Sequence, residues 1–198
     1  MNKIALNHFK KVDPIIYKIA VKVELGELNR PPDYFVDLVD SIVSQQLSGK
    51  AAATIFGRLK KLFPKEQITP EKLVKLDTEK IRGAGISYSK IKYIKGIAQA
   101  VISKEVNLEA LEKLSNEEVI NELVKLKGVG VWTAEMFLMF TLLRVDIFSA
   151  GDLGLQNAMI KLYKLDKPTK EKLLEISAKW SPHRTLASRI LWKSLDNR

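Results

Sequence analysis

Two short stretches of the chain put polar chemistry where helices begin. In Leu123-Val124-Lys125-Leu126-Lys127-Gly128-Val129-Gly130-Val131-Trp132-Thr133-Ala134-Glu135, one helical pattern closes at Lys125 or Leu126. A Gly-x-Gly turn follows, and a second amphipathic helix opens near Val131. Glycines at 128 and 130 permit positive φ and leave the amides after them without side-chain cover. The amides from Gly130 to Thr133 then fall at a helix N-terminus, where the dipole and the N–H groups attract a phosphate. The same turn also serves as a tight connection between packed helices. Downstream, Asp152 opens the apolar-periodic segment Leu153–Tyr163. A helix N-terminus favours the ionised carboxylate, so Asp152 is either an anion available for chemistry or an ordinary N-cap.

Composition narrows the partners. Of 198 residues, 33 are Lys or Arg and 23 Asp or Glu, giving a formal charge of +10. Such a surplus makes a polyanion the leading partner, and nucleic acid is the commonest one. Without cysteine there is no disulfide framework, thiolate zinc site, Fe–S cluster or cysteine nucleophile. Two histidines, His8 and His183, leave little for a His-based metal site or a Ser/His triad and are read as surface or packing residues. No apolar run approaches the roughly 18 residues of a membrane span. The polar start Met1-Asn2-Lys3 lacks a signal-peptide core. The expectation is an intracellular chain of the cytoplasm or nucleoid with no membrane partner.

The elements that position these groups are helical nearly everywhere. Phe35, Leu38, Val39, Ile42, Val43 and Gln46 follow the i, i+3, i+4, i+7 rule after Pro31-Pro32-Asp33. Ala52, Ile55, Phe56, Leu59 and Leu62 share a second face, and Ile91, Ile94, Ala98 and Val101 a third. Val119, Ile120 and Leu123 follow, then Met136–Leu143, Leu153–Tyr163, Lys170–Lys179 and Pro182–Leu195. Ser115-Asn116-Glu117-Glu118 reads as a capping box, and Ser181-Pro182 as an N-cap with proline at the first helical position. Val145-Asp146-Ile147-Phe148 is the nearest approach to a strand and is too short to build a sheet. The fold class is all-α: a compact bundle of about ten short helices in one domain. Its two interleaved lobes are drawn at residues 1–30 plus 145–198, and 31–144.

The frame Leu-x-x-Leu-x-Gly-Val-Gly-x-x-Thr-Ala over residues 123–134 resembles the helix-hairpin-helix element of base-excision DNA glycosylases that carry a Gly/Pro-rich loop and a downstream aspartate. Asp146-Ile147-Phe148-Ser149-Ala150-Gly151-Asp152-Leu153-Gly154-Leu155 looks like that loop and aspartate. Ile42-Val43-Ser44-Gln45-Gln46-Leu47-Ser48-Gly49-Lys50-Ala51-Ala52 is similar to a segment of the 3-methyladenine DNA glycosylase II branch. Arg82-Gly83-Ala84-Gly85-Ile86-Ser87 with Lys90, and Pro182-His183-Arg184 with Trp192, fit that branch too. The matched segments run in order over roughly residues 35 to 195. The chain is similar to the compact all-helical version, without the β-rich N-terminal domain of some bacterial members. The resemblance implies a cleft for DNA and the target base between the lobes.

The resemblance also implies roles. Asp152 would be the catalytic carboxylate, stabilising the oxocarbenium-like transition state of N-glycosidic cleavage and also orienting or deprotonating the attacking water, roles the sequence does not separate. An alkylated purine is already cationic and leaves without protonation, which suits the lack of an obvious general acid. Trp132 occupies the position at which lyase-competent relatives carry a nucleophilic lysine. The implied enzyme is therefore monofunctional and leaves an abasic site uncut. Trp132, Met136 and Trp192 would line the pocket for a flipped base, unless the indoles are plain aromatic core. Leu47 would be the wedge, with Gln46 and Ser48 probing the minor groove; the alternative for Leu47 is an interhelical core leucine.

Gly128, Gly130, Val131, Trp132 and Thr133 would bind phosphate. A monovalent cation, Na+ or K+, would rest on the main-chain carbonyls of Val124, Leu126 and Val129, with no other cofactor. Lys50, Lys90, Lys127 and Arg184 would lie near the DNA backbone or be plain solvated charges. Trp180, Phe35, Phe56, Phe137 and Phe140 read as core. The partner would be double-stranded DNA holding alkylated bases, met by a monomer. Two rival readings stay open: a non-catalytic helix-hairpin-helix DNA-binding module, and a protein-interaction bundle whose basic surface is incidental.

Overall fold

Short polar side chains start most of the helices. Asp13, Asp33, Ser48, Thr69, Asp77, Ser87, Ser115, Asp152 and Thr169 each accept a hydrogen bond from a backbone N–H in the first turn that follows. In the computed structural model, which describes residues 3–196, the helices in chain order are α1 (Lys3–Val12), α2 (Pro14–Ala20), α3 (Tyr34–Ser44), α4 (Gly49–Lys60), α5 (Pro70–Lys75) and α6 (Thr78–Gly83). There follow α7 (Tyr88–Ile102), α8 (Asn116–Leu123), α9 (Val131–Met136), α10 (Leu153–Tyr163), α11 (Lys170–Ala178) and α12 (Arg184–Asp196). No strand occurs among the described residues, and no described helix is long and apolar enough to cross a membrane. The start Met1-Asn2 lies outside the described residues. The fold is all-α, with more and shorter helices than the periodicity alone predicts.

The chain forms two compact units: Met1–Arg30 with Leu138–Arg198, and Pro31–Phe137. In the first, Phe9, Ile16, Leu155, Met159, Trp180, Ile190 and Leu191 form a core with almost no exposure. Burying one such side chain contributes on the order of 2 kcal/mol. A carboxylate sits inside this core. Asp13 is 5% exposed, caps α2 through Oδ1, and accepts the Tyr163 hydroxyl (2.7 Å) and the Trp180 indole N–H (2.8 Å) on Oδ2. Burial, and then the Asp13 carboxylate, push the Tyr163 hydroxyl pKa up, so it remains a donor. In the second unit α7 packs against α3, α5 and α6, burying Leu38, Ile42, Leu73, Ile81 and Ile94.

Four local expectations are corrected. The first hairpin helix stops at Leu123 rather than Lys125 or Leu126, because the Leu126 N–H turns back to the Leu123 carbonyl at 3.1 Å. The segment 136–143 is not one α-helix: α9 ends at Met136 and a π-helical turn spans Phe137–Thr141. Ser181 is not an N-cap. Its hydroxyl donates to Asp146 Oδ2 (2.8 Å), α12 starts at Arg184, and Asp146 Oδ1 accepts the Arg184 N–H at 3.1 Å. Phe56 and Phe140 are half-buried rather than core, whereas Phe35, Phe137 and Trp180 are buried.

Candidate functional site

Asp152 is both an N-cap and more than one. It is half-buried, and its Oδ1 accepts the Leu155 N–H (2.7 Å) at the head of α10 and the Trp192 indole N–H (2.8 Å) from α12. Two donors on one oxygen fix the orientation of this side chain at the head of α10. Trp192 is itself half-buried, with its ring 5.9 Å from that of Phe140 and tilted by 36°. Phe140 thus belongs to the neighbourhood of the carboxylate. A Cβ at Gly154 would lie 3.0 Å from Asp152 Oδ1 and 3.0 Å from Trp192 Cδ1, so a larger residue there would make the indole or the carboxylate give by a few tenths of an ångström. The next side chain along, Leu153, is 72% exposed.

In the other unit, the hairpin connects α8 to α9. Gly128 has φ +96, and a Cβ there would fall 2.5 Å from Tyr93 ring carbons, so glycine is required twice over. Gly130 departs from expectation. Its φ of −95 and ψ of 173 are extended, and it serves as the N-cap residue of α9 with no side-chain cap. A Cβ there would meet open space, so neither torsion nor packing inside the protein demands glycine at this position. Val131 and Trp132 are exposed, Thr133 is buried, and Met136 is half-buried. Trp132 is 41% exposed and so is not aromatic core.

The turn between α3 and α4 lies beside this hairpin. Gln45 Nε2 donates to the Gly128 carbonyl (3.1 Å) and to Thr133 Oγ1 (3.2 Å). Gln46 adopts a left-handed φ of 60, and Gln46, Leu47 and Ser48 are all exposed. Leu47, at 38% exposure, is not an interhelical core leucine. Ser48 Oγ caps α4.

Two candidate DNA cations are committed elsewhere. Lys90 Nζ donates to the carbonyls of Val43 (2.8 Å) and Gln45 (2.6 Å), and burial pushes its pKa below the ordinary lysine value. The Arg184 guanidinium grips Asp146 with Nε–Oδ1 at 2.8 Å and a second bond to Oδ2 at 3.1 Å. Lys50 and Lys127 are exposed. His8 Nε2 donates to the Lys179 carbonyl (3.0 Å) and the ring packs edge-on to His183, so both histidines are packing residues.

Among the described residues no group of three or more His, Cys, Asp or Glu side chains could hold a metal ion. The carbonyls of Val124, Leu126 and Val129 come from a single turn after α8, and that of Leu126 also accepts the Val129 N–H at 3.0 Å. An all-carbonyl donor set of this kind suits a hard monovalent cation better than a transition metal.

Sequence reasoning missed Gln45, Asp13 and the Asp152 connection of Trp192. Gln45 carried a signal: it lies three residues past Ile42 and seven past Leu38, a polar side chain on a buried face.

A polar hairpin ahead of a capped carboxylate, in an all-helical chain, is a pattern shared with known proteins. Residues 39–183 match the HhH-GPD superfamily base excision DNA repair protein family, and the chain belongs to that family. It is 42% identical over 163 residues to DNA-3-methyladenine glycosylase 1 of Schizosaccharomyces pombe, covering 81% of this chain and 72% of that protein. A solved S. pombe 3-methyladenine DNA glycosylase in complex with abasic DNA superposes with a TM-score of 0.88 at 38% identity, covering 97% of this chain and 96% of that one. DNA-3-methyladenine glycosidase from Bacillus halodurans gives 0.85 at 36% identity over 98% of this chain and 89% of that one.

Proposed function

We propose that this chain is a DNA base-excision glycosylase that hydrolyses the N-glycosidic bond of alkylated purines in duplex DNA: 3-methyladenine, 7-methylguanine and etheno-adenine. The observation that carries the reading is the Asp152 carboxylate, held by the head of α10 and the Trp192 indole on one oxygen. As the bond to the base breaks, positive charge builds on the deoxyribose, and a preoriented carboxylate lowers that barrier electrostatically. The same carboxylate orients the attacking water. The leaving purine already carries the positive charge of alkylation, so no protonating acid is needed.

The target base leaves the stack before reaction. Leu47 fills the gap, Gln46 and Ser48 meet the minor groove, and Trp132, Met136 and Trp192 offer surface to the electron-poor purine. Residues 128–133 grip a backbone phosphate, and a Na+ or K+ ion on the carbonyls of Val124, Leu126 and Val129 would strengthen that grip. Trp132 cannot form a Schiff base, so the product is an uncut abasic site. The protein would act as a monomer in the cytoplasm or nucleoid.

A pure binding module would account for the hairpin but gives no use to a clasped carboxylate that is only half-buried. The test is release of free base from methylated duplex DNA. Wild type should release it, and Asp152→Asn should lose at least about 100-fold. Equal release by both removes Asp152 from the mechanism, and strand cutting without added alkali removes the monofunctional assignment.

A further inference from the structure

We propose that Lys90 and Gln45 are positioning residues that splice the Gln46–Leu47 turn to the glycine hairpin, so that wedge and phosphate grip are presented as one rigid piece. The inference rests on the reading of Leu47 as the wedge given above. It begins with an accounting question. A helix leaves its last carbonyls without intrahelical donors, and α3 ends at Ser44. The Ser44 carbonyl takes the Leu47 N–H at 3.1 Å. Those of Val43 and Gln45 are taken by one ammonium, Lys90 Nζ, at 2.8 and 2.6 Å. A cation at a helix C-terminus is favoured by the dipole and makes charge-assisted bonds.

Between those carbonyls and the exposed Leu47 lies Gln46, a side-chain-bearing residue at φ 60. Such a conformation persists only where the surroundings over-determine it. Lys90 fixes the peptide on its N-terminal side, and the Ser48 cap fixes the start of α4. Gln45 adds the second link. Its amide spans the Gly128 carbonyl and Thr133 Oγ1, joining the turn to both ends of the hairpin. Lys90 reaches across from the first turn of α7, anchored by the Ser87 cap on its own N–H. An exposed wedge held this way loses little conformational freedom when it enters DNA.

The test uses the whole chain and a duplex holding a methylated purine next to 2-aminopurine, whose fluorescence reports unstacking. Lys90→Met should lower both the fluorescence gain and kcat/KM by about 30-fold, with Lys90→Arg recovering most of it. In a Leu47→Ala background the further loss from Lys90→Met should shrink below about threefold, because the two act through one step. Gln45→Leu should behave as Lys90→Met does, and it carries the test should the Lys90 variant fail to fold.

A full loss repeated in the Leu47→Ala background would overturn the inference, since Lys90 would then act independently of the wedge. So would unchanged unstacking in both Lys90→Met and Gln45→Leu. Unchanged unstacking in Leu47→Ala alone would instead remove the wedge reading, and this inference with it.

Discussion

Asp13 and Asp152 lie in the same unit and follow the same local script. Each caps a short helix through Oδ1, and each accepts an indole N–H at 2.8 Å, from Trp180 and Trp192 respectively. They differ in what surrounds them. Asp13 is 5% exposed, with Oδ1 on the first turn of α2 and Oδ2 on two donors far away in sequence, Tyr163 and Trp180. Asp152 is half-buried beside a leucine that projects into solvent. The pair teaches that an Asp–indole clasp is a general way to fix a carboxylate, and that burial decides whether the fixed group holds the fold together or meets a substrate.

The largest effect that can break this contrast is on stability. Asp13→Ala leaves the Tyr163 hydroxyl and the Trp180 N–H inside the core without their acceptor and should cost about 4 kcal/mol. A urea melt would show it, and a loss below about 1 kcal/mol would mean that Asp13 is not a keystone. Asp152→Asn comes next, and its effect falls on the barrier rather than the fold. Asparagine keeps the cap and an acceptor for Trp192, so the melt should barely move while base release falls by about 3 kcal/mol of barrier.

Trp192→Phe should cost about 1.5 kcal/mol, or roughly tenfold in kcat/KM, by removing one hydrogen bond to the carboxylate. Single-turnover base release measures it, and no change would reduce Trp192 to a packing residue. The smallest effect is acid sensitivity at a third carboxylate of the unit, Asp146. Burial opposes its charge, but bonds from Arg184 and Ser181 outweigh this and hold its pKa below the ordinary carboxylate value. A depressed native pKa gives stability that is present above that value and lost as pH falls through the lower, native one. Asp146→Asn should flatten the stability profile below about pH 4, and a wild-type profile already flat there would remove the pair from the balance.

How much of this was legible in the sequence depended on the range of the interaction. The capping box at Ser115–Glu118, the hairpin, the α10 start at Leu153 and the all-α class all rest on neighbours within a few residues, and all are present. The Ser181-Pro182 start failed because Asp146, 38 residues from Arg184, supplies the cap instead. Lys90 and Arg184 read as free cations because nothing local announces a carbonyl 45 residues away or a carboxylate 38 away. At the hairpin the glycine pair was legible but its division of labour was not. Gly128 needs both its torsion and its closeness to Tyr93, whereas Gly130 is extended and has open space where a Cβ would sit.

Gly154 turns that distinction into a handle on reactivity. Because the clasp around Asp152 closes over a residue that contributes only a hydrogen, one added methyl would act as a thin shim, shifting indole or carboxylate by a few tenths of an ångström while leaving both chemically intact. Gly154→Ala therefore disturbs how the anion is aimed while Asp152 and Trp192 both stay in the chain.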